Sequence, residues 1–359
     1  MHASINHYAD AVLQNIREHS GKNILKDFDG AAVLNERAQF MHLAKPTQTS
    51  ANGSCHLLET QDARWIALNL ARASDRELLP ALFQSPQSIT DMEQIRAQVK
   101  NSHASSLVMQ GRMLGLAIAE AVMINEPVAE KKNGVDIICR GETVSARREP
   151  PLVIDLSSLW AGPLCGRLLQ QSGARVIKIE SVQRPDGAGL NSQPGGRAFY
   201  ERLNDGKEIM SLDFKNPNDL AKLKLHIEQA DIVIESSRPR ALQQLGIDAE
   251  RIVQYAAGKI WVSITGYGRR EPQANWIAFG DDAAVSAGLF DRRGDGKPVF
   301  IGDAIADPLT GLHAARAALA FYQQGQSVLL DIHLHGVAKF CASDIFDQRR
   351  QDFSIAGKR

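Results

Sequence analysis

The sequence predicts an α/β fold: a Rossmann-like parallel sheet forming a large domain, beside a smaller α+β domain. Three observations predict it. From Leu152 onward, short apolar runs alternate with amphipathic stretches of about three helical turns, the pattern of parallel strands joined by crossover helices. Residues 1–148 differ, being mainly helical with a single hairpin-like pair. Between the two parts, Pro150-Pro151 favours extended backbone and marks the boundary of a large domain at 151–330.

Each element follows from local chemistry. The N-terminal run "MHASINHYADAVLQNIREHSG" has the periodicity of a polar amphipathic helix. "CHLLET" (55–60) and "RWIALNL" (64–70) read as two strands joined by the turn Gln61-Asp62-Ala63. "SDRELLPALF" starts a helical stretch whose periodicity runs through Val122. In the charged, turn-rich "AEKKNGVDIICRGETVSARREPP", a short strand is expected at "VDIIC". "LVIDL" suits a buried strand, and "PLCGRLLQQSG" sets Leu164, Leu168 and Leu169 on one side of a helix that stops at Gly173. "RVIKIE" and "EIMSLDF" are the next strands. Asn216 caps, and Pro217 opens, the helix "NPNDLAKLKLHIEQA". The strand "DIVIE", two short helices at "PRALQQLG" and "DAERIVQYA", and the strand "KIWVSITGYG" complete the alternation. In "IGDAIADPLTGLHAARAALAFY", Leu312, Ala315, Leu319 and Tyr322 recur at helical spacing behind Asp307-Pro308, so Asp307 is expected at the N-cap. Residues 331–359 form a return segment ending in a polar tail.

Composition bounds the function. The chain has 359 residues, 44% hydrophobic and 23% charged, with 41 acidic and 41 basic side chains. That balance gives no bulk field to draw nucleic acid or an anionic membrane. Apolar stretches such as "LGLAIAEAVM" fall short of the roughly 18 residues a membrane span needs. The first 21 residues read as a polar amphipathic helix rather than a charged head followed by an apolar stretch, so a leader is not expected there. Cys55, Cys139, Cys165 and Cys341 are scattered without a CxxC and read as reduced thiols. A cytoplasmic protein acting on a small molecule is expected, without nucleic-acid or membrane partners.

Ligands of open α/β sheets bind beyond the C-terminal ends of the strands. Five such loops, 157–163, 181–187, 215–219, 236–241 and 265–272, supply Arg184, Lys215, Arg238, Arg269 and Arg270. Basic side chains and helix N-termini at one edge suit a phosphorylated ligand, although any loop set carries Arg and Gly. NAD is not expected: after "LVIDL" there is only Ala161-Gly162-Pro163 and Gly166 in place of GxGxxG, and Pro163 lacks an N–H for a pyrophosphate. No metal site is expected either, because His333 and His335 in "DIHLHG" lie on one face of a strand without further ligands at familiar spacing. Asp281 and Asp282, in "FGDDAAVSAGLF", are a cap and a dipole partner or a paired acid and base. Asp303 positions its loop. Asp307 is a helix cap or a nucleophile.

The loops together resemble the class III CoA-transferase (CaiB/BaiF) family, which includes formyl-CoA transferase, carnitine CoA-transferase and α-methylacyl-CoA racemase. "VIDLSSLWAGPLCGRLLQQSGARVIKIE" is similar to the family opening VLDLS-x-x-x-AGP, helix, GA-x-VIK-x-E. "NDGKEIMSLDFKNPND", "ADIVIESSRPRALQQLGID", "ITGYGRREP" and the Asp307 segment resemble its later motifs in order, spanning about residues 152–320.

The resemblance implies an acyl-CoA:carboxylate CoA-transferase with Asp307 as nucleophile, forming an aspartyl anhydride and then an aspartyl-CoA thioester. Coenzyme A and acyl-CoA enter as substrates, with no metal and no NAD. The CoA contacts it implies are Trp160, Ala161, Gly162, Leu212, Phe214, Lys215, Ser236, Ser237, Arg238 and Pro239. Several positions depart from the pattern: Ser236 for Asn, Gly206-Lys207 for Asn-Lys, Arg240 for Gly, and Ser181 and Gln244 for Arg. The carboxylates of "FGDDAAV" are shifted. The family's small domain is matched by residues ~50–140, ahead of the large one, with "TSANGSC" (49–55) standing for its Gly-rich flap. A homodimer is implied. Two other readings stay open: a 2-methylacyl-CoA racemase using His313, and a catalytically idle CoA-binding paralogue.

Overall fold

The computed structural model describes residues 2–20, 25, 28–89, 91–124, 133–186 and 193–356. Met1, Gly21, the start of the charged stretch before Asn133, Gly187 of the 181–187 loop and the last three residues lie outside them.

Two helices open the chain, α1 (His2–Ser20) and α2 (Gly30–Phe40). The Asp29 carboxylate caps α2 by accepting the Ala32 N–H at 2.7 Å. A small unit follows: β1 (Cys55–Glu59), β2 (Trp65–Asn69), α3 (Ala73–Glu77), α4 (Leu79–Leu82), α5 (Met92–Lys100), α6 (Ala104–Leu114) and β3 (Ala117–Glu120). Its sheet has the order β1-β2-β3, antiparallel throughout. The hairpin falls where the sequence puts it. The helix expected through Val122 ends early, because Gly115 takes the left-handed conformation (φ 78°) and the next residues turn back to pair with β2.

The large unit contains β4 (Val135–Gly141), β5 (Leu152–Asp155), α7 (Ala161–Gln171), β6 (Arg175–Ser181), α8 (Gly196–Asn204), β7 (Glu208–Leu212) and α9 (Pro217–Gln229). It continues with β8 (Ile232–Glu235), α10 (Pro239–Gln244), α11 (Ala249–Tyr255), β9 (Ile260–Thr265) and α12 (Gly280–Ser286). A two-stranded ribbon of β10 (Asp291–Arg292) and β11 (Pro298–Val299) precedes α13 (Ala306–Gln323), β12 (Ser327–His333) and α14 (Leu334–Ala356). The seven-stranded sheet runs β4-β12-β9-β8-β5-β6-β7, parallel except for β4. Strands β5 and β8 are buried along their whole length, as expected of a sheet covered on both faces.

A chain divided at 148 does not describe how the elements pack. Strand β4 lies ahead of that point yet pairs with β12 inside the large sheet. Helix α1 buries Ile5, Ala9, Val12, Leu13 and Ile16 in the same core as α7 and α13. Periodicity marks which face of a helix is apolar but not which surface will cover it. The return segment is likewise no tail at its start, since β12 sits between β4 and β9. His333 ends that strand while His335 lies on α14, where its Nδ1 meets Ser286 Oγ at 2.8 Å, so the two do not share a strand face. Among the described residues no group of three or more His, Cys, Asp or Glu could hold a metal ion, and no helix is long and apolar enough to cross a membrane.

Candidate active site

From β5 the sheet grows in both directions, to β6 and β7 on one side and to β8 on the other. The loops after β5 and β8 therefore part from each other, and a crevice opens between them. A cavity of about 390 Å³ lies there, with Ser158, Trp160 and Ala161 on one wall, Ser236 to Pro239 on another, and Asp307 between them. A second cavity of about 200 Å³ adjoins it beyond Arg184 and Ser237 and is lined by Phe214, Leu242 and Leu245.

Buried charges hold these loops in place. The Lys207 ammonium donates to Asp155 Oδ2 at 2.9 Å and to Pro163 O at 2.8 Å, with both charged side chains fully buried. Asp155 in turn accepts the Ser157 N–H at 3.0 Å. Buried Lys178 donates to Ser157 O at 2.8 Å and pairs with Asp186 Oδ2 at 2.9 Å. The Leu159 N–H reaches Asp186 Oδ1 at 2.9 Å, and the Ser158 N–H reaches Ser236 Oγ at 3.0 Å. Leu159 adopts φ 70°, unusual for a side-chain-bearing residue, at the rim of the cavity.

Asp307 does not cap its helix. The N-cap is Ile305, and Asp307 is the second helical residue, its own N–H donating to Ala304 O at 2.8 Å. Its carboxylate instead faces Gly280, whose N–H hydrogen-bonds to it and at which a Cβ would come within 2.7 Å of Asp307 Oδ2. Three further carboxylates surround it. Asp281 Oδ1 accepts the Ala304 N–H at 2.9 Å, so it ties down the turn ahead of α13. Asp282 accepts the Phe279 N–H and the Asn69 Nδ2–H, each at 3.0 Å, joining α12 to the small sheet. Asp303 is gripped by Arg37 of α2, whose Nε donates to Oδ2 at 2.6 Å. Burial pushes Asp307 up to about 7; Arg37 opposes that shift and Asp303 adds to it. Burial and Asp303 lift Asp281 to about 8, and burial lifts Asp282 to about 7.

Folding stability is therefore expected to fall between pH 6.5 and 8. A carboxyl raised in the folded state favours the folded chain below its unfolded value and loses that advantage as pH rises through the folded one. At lower pH, buried His56 and His313 and half-buried His335, depressed to about 4, 3 and 4, act in the opposite sense up to 6.5. Lys259, lowered to about 8 by burial, acts only above that. Melting temperatures measured at pH 6.5 and 8 test the window, and a rise across it would refute the assignment.

The sequence-predicted contacts divide. Trp160, Ala161, Ser236, Ser237, Arg238 and Pro239 line the larger cavity and Phe214 the smaller. Gly162 lines neither and packs on Ser157, where a Cβ would fall 2.1 Å from that side chain's Cβ. Leu212 is buried in the core beneath α9, and Lys215 sits in the exposed turn before it. Of the loop cations, Arg184 lines both cavities, while Arg269 is a buried brace to Glu235 (2.8 Å) and Ser263 (2.7 Å) rather than a ligand group. Arg270 lines neither. Loop composition could not separate these cases, because a buried ion pair and a free guanidinium have the same sequence signature. Loop 49–55 is a tight turn closed by Ser50 N–H to Cys55 O at 2.9 Å, and it lines neither cavity. His313 is fully buried, with Nε2 2.7 Å from the Tyr8 hydroxyl, and does not reach the cavity. Sequence reasoning missed Arg72, Trp276 and Phe279 in the wall, and Arg37 behind it. Phe279 opens the segment "FGDDAAV", where the carboxylates drew the attention; the other three lie in no motif.

Comparison with known proteins decides the family. Residues 151–351, more than half of the chain, match the model of CoA-transferase family III. The chain belongs to CoA-transferase family III. It is similar to the succinate–glutarate CoA-transferase of Agrobacterium fabrum, 32% identical over 59% of this chain and 56% of that protein. The human succinyl-CoA:glutarate CoA-transferase is 31% identical over 54% of this chain and 46% of its own length. A formyl-CoA:oxalate CoA-transferase of Bradyrhizobium sp. is 32% identical over 56% and 49%. The chain thus spans about half the length of these curated family III relatives. A crystal structure of a point mutant of Rv3272 from Mycobacterium tuberculosis has the same fold over 56% of this chain and 57% of its own, at a TM-score of 0.50 and 23% identity.

Proposed function

We propose that the chain transfers CoA from an acyl-CoA to a carboxylic acid, with Asp307 as the nucleophile. The observation that carries this reading is the placement of Asp307: a half-buried carboxylate in the wall of a cavity also lined by the guanidinium side chains of Arg72, Arg184 and Arg238. Burial lowers Arg238 below its ordinary value, and Arg240, Arg72 and Arg184 add repulsion. That concentration of positive charge favours the phosphates of CoA. Phe214, Leu242 and Leu245 in the adjoining cavity offer apolar surface to a nucleobase.

The chemistry then needs neither an external base nor net proton transfer. An Asp307 oxygen attacks the thioester carbonyl carbon; the C–S bond breaks, leaving an acyl-aspartyl anhydride and CoA thiolate. The thiolate attacks the Asp307 carboxyl carbon, expelling the first acid as carboxylate and leaving an aspartyl-CoA thioester. The acceptor carboxylate attacks that carbon, releasing thiolate and forming a second anhydride. Thiolate attack on its acceptor carbonyl gives the new acyl-CoA and restores Asp307. The N–H of Gly280 is placed to stabilise charge on the aspartyl oxygens. The relatives act on succinate, glutarate, formate and oxalate derivatives, so short carboxylic acids are the substrate class to test first. We infer a soluble homodimer as the working form, with the large unit binding CoA and the small unit closing over the acid.

The reading against a racemase rests on His313, which is sealed behind Tyr8 and held neutral by burial. Incubation with succinyl-CoA followed by hydroxylamine, with mass spectrometry of the digest, is expected to convert Asp307 to a hydroxamate. Absence of that adduct, together with α-deuterium exchange from solvent, would replace transfer by proton abstraction. Binding without either would make the chain an idle paralogue.

A further inference from the structure

Helix α2 lies outside the span matched by the family model, yet its Arg37 grips Asp303, four residues ahead of Asp307. It is fixed on three sides. The Gly30 N–H donates to Asp10 Oδ1 of α1 at 2.6 Å. Buried Glu36 receives Arg167 Nη1 of α7 at 2.9 and 2.8 Å, and Arg202 Nε of α8 at 2.9 Å. The next residue, Arg37, is thereby delivered behind the cavity wall, its guanidinium 5.1 Å from the centre of the Trp160 ring and paired with Asp303. Trp160 and Asp307 line the same cavity.

We infer that Arg37 is a positioning residue for the Asp307 nucleophile, balancing the charge of Asp303 so that Asp307 can stand ionised among its neighbouring carboxylates. This rests on the reading of Asp307 as nucleophile. The charged groups packed about the cluster are Arg37 from α2, Asp303 from the turn before α13, and Asp281 and Asp282 from α12. Arg72, Arg184 and Arg238 stand across the cavity, and His335 of α14 bonds to Ser286. Arg37 is the cation in direct contact with a carboxylate of this cluster; without it, Asp303 would repel a second negative charge at Asp307 at full strength. Removing Asp303 should have the opposite effect, because Arg37 would then act on Asp307 alone.

The test measures CoA exchange between succinyl-CoA and glutarate across pH for the parent, R37M, R37K, D303N and R37M/D303N. The R37M substitution is expected to move the acid limb upward by about one pH unit, a loss of about tenfold in rate on that limb. D303N moves it downward, R37K falls between parent and R37M, and the double variant returns toward the parent. KM for the acyl-CoA stays within about twofold of the parent. If R37M fails to fold, R37K and D303N carry the same prediction. Losses in rate with an unmoved limb, or shifts of R37K and D303N in the same direction, would overturn the inference and leave Arg37 a structural brace. In parallel, the pH titration of the Asp307 carboxyl is followed by NMR in aspartate-labelled protein, with D307N supplying the assignment. A parent that forms no Asp307 adduct defeats the nucleophile reading by itself. In that case an Asp307 midpoint unchanged by R37M, R37K and D303N separately defeats this one, and midpoints moved as predicted sustain the charge coupling.

Discussion

Asp307→Asn is expected to reduce CoA exchange by about 10⁴-fold or more, the scale seen when a covalent nucleophile is removed. The amide matches the carboxylate in shape, so the helix and the cavity wall should stand. It is neutral, however, and presents no anionic oxygen to a thioester. The same change should raise stability at pH 8. Folding holds this carboxyl near 7, so its ionisation above that value works against the folded state, and Asn removes the cost. Activity lost and melting temperature gained at pH 8 is thus the paired signature of a functional group kept at the expense of stability. Exchange at the parental rate would remove Asp307 from the chemistry. Lower stability at pH 8, with activity lost, would mean that the carboxylate serves the fold instead.

Lys207→Met is expected to destabilise the chain by about 3–5 kcal/mol, the usual consequence of leaving one member of a buried ion pair alone. Both Lys207 and its partner Asp155 are fully buried, and Lys207 spends its other donors on Pro163 O and Asn204 Oδ1 at 2.8 and 2.9 Å. Three acceptors would lose their partner together, and one of them holds the Ser157 turn at the cavity. Urea unfolding monitored by circular dichroism reads the loss directly. Adding Asp155→Asn should recover part of it, because the stranded charge disappears. A change below about 1 kcal/mol would show that water or a rearranged side chain, such as Lys178, neutralises Asp155. The position also bears on sequence reading: Gly206-Lys207 departs from the family's Asn-Lys only in its first residue, and the retained lysine is the one the core requires.

How far the site is legible in the sequence differs by residue type. The loops after β5 and β8 carry the motifs that resemble the family's, and Trp160, Ala161, Ser236, Ser237, Arg238 and Pro239, implied by that resemblance, all line the cavity. Leu212 and Lys215 share a motif with Phe214, yet Phe214 is the one that faces a cavity, because the strand ends at Leu212, which stays in the core, while Lys215 sits exposed in the turn beyond it. Arg269 and Arg184 look alike in sequence. One is spent on Glu235 and the other is left to the cavity, a distinction set by residues 34 positions away in one case and by loop geometry in the other. The expected cap at Asp307 failed by two residues, since Ala304 and Ile305 already turn the chain and free the aspartate from capping.

By itself the sequence determined the alternation of strands and helices from Leu152, the hairpin at 55–70 and the identity of the candidate nucleophile. The first two depend on short-range periodicity; at Asp307 the local pattern suits a cap as well as a nucleophile, and the resemblance of the ordered loops singled it out. Only the tertiary structure decided that β4 and β12 complete the large sheet, that α1 and α2 cover its core, and that Arg37 pairs with Asp303, four residues ahead of Asp307. Such pairings join residues more than a hundred positions apart, and their energy comes from shared burial and paired charge. No local pattern encodes those, because each partner's sequence is equally consistent with solvent until the other is in place.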